Sequence, residues 1–158
     1  MTLEIHPDIE PIGFLVGTWR GNGAGEYPTI ESFSYVEEVT FGHVGKPFLS
    51  YGQKTRSSAT GVALHAETGY WRLIDGSNVE VVMSHPTGIL ELLVGTYHDG
   101  TFDLRSGAVT LSPTAKPVTA TYRRLEVAGD VLRYELSMAA VGLPLTHHLS
   151  AELHRVSS

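Results

Sequence analysis

The strongest constraint on this chain is a succession of short segments in which apolar and polar residues alternate, separated by turn-forming residues. An opening strand at Gly17–Gly23 is followed by Glu31–Phe41, Phe48–Thr55, Leu64–Ile74, Asn78–Ser84 and Ile89–Tyr97. Thr101–Ser106, Val118–Val127, Val131–Ala140 and Leu145–Val156 continue the series. Asp99-Gly100 and Ala128-Gly129-Asp130 read as tight hairpins between neighbouring segments. The only helical signal lies between Asp8 and Val16, where Ile9, Ile12 and Val16 recur at helical spacing and Pro11 limits the extent. The pattern predicts an all-β fold, a ten-stranded antiparallel up-and-down β-barrel of the lipocalin and fatty-acid-binding-protein kind with a short N-terminal helical turn. With no repeat or linker, the chain reads as one domain over residues 1–158. A barrel is preferred to a sandwich because closure leaves no exposed edge, and three lysines are few for blocking one. A barrel of this strand number is wide enough to hold one small ligand.

In the opening strand Gly17, Trp19, Gly21 and Gly23 share a face, because strand side chains alternate with period two. That face carries one large ring and otherwise no side chains. Such a strip suits a sharp bend, or the close approach of another backbone or a flat ligand. Gly-x-Trp on the first strand is also how lipocalin-type barrels close their base. Trp19 is expected to plug it.

Composition removes several functions. The absence of cysteine excludes disulfides, thiolate metal sites, a cysteine nucleophile and thioether attachment of a haem. A net charge of −6 supplies no basic face, which argues against a nucleic-acid partner. No apolar run approaches the ~20 residues of a membrane span, and the first ten residues lack a leader's basic-then-apolar pattern. Cytoplasmic localisation is the expectation.

Eight histidines are the main chemical resource. In a strand, His147 and His148 point to opposite faces, and His148 and His154 stand about 20 Å apart, so no local zinc site is expected. Gly-x-Ser-x-Gly is absent, and Glu37 and Glu38 alternate rather than face each other. Gly21-x-Gly23-x-Gly25 lacks the following helix that a phosphate site needs. One histidine acting alone remains, which is what a haem with a single axial ligand requires.

Several motifs, in order, span residues 13 to 155: Gly17-x-Trp19-x-Gly21-x-Gly23, Tyr27-Pro28-Thr29-Ile30, Tyr35-x-Glu37-Glu38 and His43-x-Gly45-Lys46-Pro47-Phe48-Leu49. His65-x-Glu67-x-Gly69-Tyr70, Ala115-Lys116-x-Val118-Thr119 and His148-Leu149-x-Ala151-x-Leu153-His154-Arg155 complete the set. In these the chain resembles the nitrobindin family, most closely its actinobacterial members. The resemblance implies a non-covalent b-type haem, one per subunit, held near one mouth of a ten-stranded barrel. Its iron would be bound by a single proximal histidine on the last strand, here His148. It further implies an open distal position walled by apolar groups, reversible nitric oxide binding, and isomerisation of peroxynitrite to nitrate. Thr40 matches a family position near the haem. Lys116, stiffened between Pro113 and Pro117, is the expected propionate contact. His43 is expected in a turn.

One segment resists. Strict alternation places Leu149, Ala151 and Leu153 opposite His148. The interior could be partly polar, a bulge could shift the register after His148, or the Leu149–Leu153 face could pack against a second subunit. The third is preferred and predicts a homodimer. The alternative function is a haem-free carrier of a fatty acid or other small apolar ligand, with a ligand-free interaction domain a third possibility.

Overall fold

A computed structural model, describing residues 1–157, contains ten strands in one sheet. They are β1 (Gly17–Tyr27), β2 (Ile30–Gly42), β3 (Leu49–Ser57), β4 (Ala63–Ile74), β5 (Asn78–His85), β6 (Ile89–His98), β7 (Thr101–Leu111), β8 (Val118–Ala128), β9 (Val131–Ala140) and β10 (Thr146–Ser157). Each pairs antiparallel with its sequence neighbour, and β1 also pairs with β10, so the sheet closes into the expected barrel. Because the strands run up and down in order, the ends of odd strands and the starts of even strands share one mouth. The opposite ends share the base.

The base is sealed from within. A 3-10 helix, Pro7–Leu15, inserts Ile9, Ile12 and Leu15, all fully buried. Their spacing of three matches the three residues per turn of a 3-10 helix. The third buried position therefore falls on Leu15, whereas α-helical spacing had selected Val16. Trp19 is completely buried, and its indole N–H donates to the Leu15 carbonyl at 2.9 Å. The Arg155 guanidinium lies 4.3 Å from the centre of the Trp19 ring. It donates to the carbonyls of Val16 (2.8 Å) and Phe14 and to Asp130 (3.0 Å). One cation thus joins the plug, the first strand and the last.

The glycines of β1 explain themselves by contact. A Cβ on Gly21 would sit 1.9 Å from the Glu152 carbonyl oxygen, so β10 approaches where no side chain intervenes. A Cβ on Gly23 would lie 2.2 Å from the Tyr35 ring. The bare strip admits a backbone and an aromatic ring.

β10 corrects the expectation of an outward Leu149–Leu153 face. His147 pairs with Ser137 and Leu149 with Leu136, so His148 is an extra residue in a β-bulge. Beyond it Leu149, Ala151 and Leu153 point into the barrel, Leu153 being wholly buried and Leu149 packed against the main core. That face is filled by the protein's own core and has no room for a second subunit.

Candidate functional site

The mouth opposite the plug is lined by a small apolar cluster of Tyr27, Val118 and Ala140, with Ile89, Met138 and Leu143 packed against it. The Tyr27 hydroxyl spans from β1 to β9, donating toward the Met138 carbonyl (3.0 Å) and accepting from the Ala140 N–H (3.1 Å). His148 stands edge-on against this fixed ring, centroids 5.4 Å apart. Its Nδ1 lies 3.0 Å from the Glu26 carbonyl oxygen. A carbonyl only accepts, so Nδ1 carries the proton and Nε2 keeps its lone pair. Burial lowers the pKa of His148 against the raising effect of the Glu26 carbonyl, and the charges of His147 and Lys116 lower it further. His148 therefore presents a neutral, oriented donor nitrogen from a half-buried position.

Lys116 lies exposed in the loop before β8, at this same mouth, close enough for its charge to reach His148. Thr40 does not join them. It pairs with Thr18 and Gly52 near the base end of β2, and its side chain is exposed because Val39 and Phe41 take the inward positions. Thr40 is thus on the outer surface at the wrong end of the barrel for a ligand at His148. Gly17 and Trp19 belong to the closed end, and Gly21 and Gly23 lie midway along β1. His43 is in the loop after β2, its Nδ1 accepting from the Gly45 N–H at 3.2 Å.

Between mouth and plug lies a buried polar layer. Arg123 bridges two carboxylates, donating to Glu67 at 2.9 Å and to Glu91 at 3.1 Å. Glu91 also accepts from the Thr121 hydroxyl at 2.6 Å and from His85 Nε2 at 2.6 Å. His85 Nδ1 is 3.1 Å from His65 Nε2. Burial pushes the Glu91 pKa upward, but the bonds from His85 and Thr121 and the Arg123 charge outweigh it and hold the carboxyl at about 2. A second group surrounds Glu37, which accepts from Tyr134 and from Gln53, both at 2.7 Å. Here burial wins, and the Glu37 pKa rises to about 7.

The sequence contained a signal for this layer. Glu37 interrupts an apolar face, and Glu67 shares one with His65 and Trp71. Arg123 was indistinguishable from Arg124 beside it, which is exposed. Among the described residues no three His, Asp or Glu side chains form a set of ligands for a free metal ion.

The mouth suits a flat, mainly apolar group with an acidic edge. It offers one neutral imidazole nitrogen for a metal at the group's centre, an apolar wall, and a lysine at the rim. These are the requirements of a non-covalent haem. His65 and His85 place polar groups on a wall that family likeness had suggested would be apolar.

The family description "THAP4-like, heme-binding beta-barrel domain" matches residues 8–155. A Mycobacterium ulcerans protein named peroxynitrite isomerase 2 is 54% identical over 99% of this chain and 100% of its own length. A Nocardia farcinica protein named peroxynitrite isomerase is 52% identical over 98% of this chain and 94% of its own. The crystal structure of Rv2717c from M. tuberculosis superposes with a TM-score of 0.90 at 48% identity, covering 96% of this chain and 99% of that one. The S-type phycobiliprotein lyase CPES from Guillardia theta, at 11% identity and a TM-score of 0.62, shares the fold alone.

Proposed function

Since the chain belongs to the THAP4-like haem-binding β-barrel family, the nitrobindin family, we propose that it is a haem-dependent peroxynitrite isomerase whose iron ligand is His148. The observation that carries the ligand assignment is the Glu26 carbonyl at His148 Nδ1, which fixes the tautomer and leaves Nε2 for the metal. The bound haem, b-type and one per subunit, supplies an iron position for nitric oxide or peroxynitrite. The chain's own part is to orient and exclude. Tyr27 buttresses the His148 ring, Ile89, Val118 and Met138 would exclude water from a bound haem, and Lys116 would meet a propionate. The protein works in the cytoplasm. No helix among the described residues is long and apolar enough to cross a membrane.

We also propose a homodimer, through a different surface from the one first expected. Tyr70, Val82 and Leu92 are neighbours across β4, β5 and β6 and form an exposed apolar strip that a two-fold axis can pair with itself. Light scattering giving a monomer at micromolar concentration overturns this.

Hemin titration, followed by stopped-flow decay of peroxynitrite with nitrate quantified, tests the main reading. The wild type is expected to develop a Soret band and convert peroxynitrite to nitrate, and His148→Ala to lose the axial-ligand spectrum. Identical spectra and hemin affinity in His148→Ala refute the assignment. Uptake of a fluorescent lipid without hemin identifies a carrier instead.

A further inference from the structure

We propose that Glu91, His85 and His65 form a proton relay on the wall facing His148, which switches His65 Nδ1 between acceptor and donor toward a ligand bound there. This rests on the haem reading above. In the ring order of ten strands β5 is the fifth from β10 either way round, so it lies directly across the barrel, with β4 beside it. His85 ends β5 and His65 lies near the start of β4, both at the mouth that holds His148. A group held at His148 would have these two rings across the mouth from it.

The hydrogen bonds fix the proton positions. Glu91 is ionised and only accepts, so His85 Nε2 carries a hydrogen toward it. With its hydrogen on Nε2, His85 accepts at Nδ1 from His65 Nε2–H. That leaves a lone pair on His65 Nδ1, which bonds no described residue. His65 shares the inward side of β4 with the buried Glu67 and Trp71, which turns this nitrogen toward the mouth.

Adding one proton reverses the chain. The proton binds His65 Nδ1, the hydrogen on His65 Nε2 passes to His85 Nδ1, and His85 becomes an imidazolium held by Glu91. His65 stays neutral but now donates from Nδ1. In that state the positive ring is the one that faces the Glu91 carboxylate. Glu91 on β6 shares the Arg123 cation on β8 with Glu67 on β4. From β3, Thr55 pairs with His65 and brings no charge. Against this, burial and the neighbouring His85 and Arg123 lower the pKa of His65 itself. For peroxynitrous acid the step balances simply. Its proton passes to His65 Nδ1, the anion is retained and hydrogen-bonded by the same nitrogen, and the proton returns to solvent when nitrate leaves. His65 touches the ligand, and His85 and Glu91 are positioning residues.

The C–O stretch of the ferrous carbonyl form, recorded by infrared spectroscopy across pH 5 to 9, reads out a donor at that nitrogen. The wild type is expected to show two bands whose ratio titrates with pH, the lower-frequency band growing at low pH. His65→Leu should leave only the higher-frequency band at every pH. Glu91→Gln should move the midpoint down by about one pH unit, tenfold in proton affinity. A single wild-type band that ignores both pH and His65→Leu overturns the relay, whether or not Glu91→Gln folds. Failure of the underlying haem reading looks different: no carbonyl adduct forms at all.

Discussion

Replacing Glu37 by glutamine should stabilise the folded protein at alkaline pH and not at acid pH. Glu37 is 2% exposed, and burial raises its pKa from 4.5 to about 7. The folded state therefore holds a proton that the unfolded state has released between those values. For an acid shifted upward, the folded state binds more protons, so stability falls as pH rises from 4.5 through 7. At pH 8 the linkage integral over that shift is about 3 kcal/mol, and at pH 4 it is near zero. Glutamine cannot ionise, so Glu37→Gln removes the alkaline penalty. The hydrogen bonds that Tyr134 and Gln53 donate to the ionised carboxyl are already contained in its pKa of about 7. Urea denaturation of haem-free wild type and variant at pH 4, 6 and 8 measures the difference directly. The stability of the variant relative to wild type should grow by about 3 kcal/mol from pH 4 to pH 8, or roughly 6–12 °C in Tm for a domain of this size. A difference that stays constant across pH refutes the reasoning, because Glu37 would then titrate alike in both states.

Glu91 should show the opposite sign. Its folded pKa of about 2 lies below the ordinary 4.5, so wild type should lose roughly 3 kcal/mol as pH falls from 4.5 to 2, a loss absent from Glu91→Gln in acid-unfolding curves. Arg155→Ala removes the cation over Trp19 and the donors to Phe14 and Val16. It should cost about 2–3 kcal/mol in urea and expose residues 7–15 to limited proteolysis. Gly21→Ala should prevent β1 and β10 from closing and cost several kcal/mol, about as much as other severe clashes in packed interiors, whereas Gly52→Ala, whose Cβ meets nothing within 4 Å, should be nearly silent by thermal denaturation.

The strands were legible because alternation and turn chemistry are local. Asp99 and Gly100 adopt positive φ of 45° and 80° in the hairpin their sequence suggested, and β9 begins and ends where its apolar pattern does. The family motifs pointed to Lys116 and His148, and the fold places both at one mouth. The fate of Leu149–Leu153 was not legible, since a single bulge at His148 inverts every later side chain and leaves no mark in composition. Thr40 failed for the complementary reason. A motif position carries no information about which end of a strand reaches the ligand.

By itself, then, the sequence determined an antiparallel barrel closed by Gly-x-Trp, without thiol or cationic surface chemistry, because periodicity, turns and composition depend on neighbours along the chain. Tertiary structure alone decided what fills that barrel. Glu37, Gln53, Glu67, Glu91 and Arg123 come from five different strands, and His65 meets His85 at the open end of the β4–β5 hairpin. Each reads locally as a surface residue. Only closure of the sheet removes them from water, and burial then forces them to satisfy one another. The same closure sets His65 and His85 across the mouth from His148.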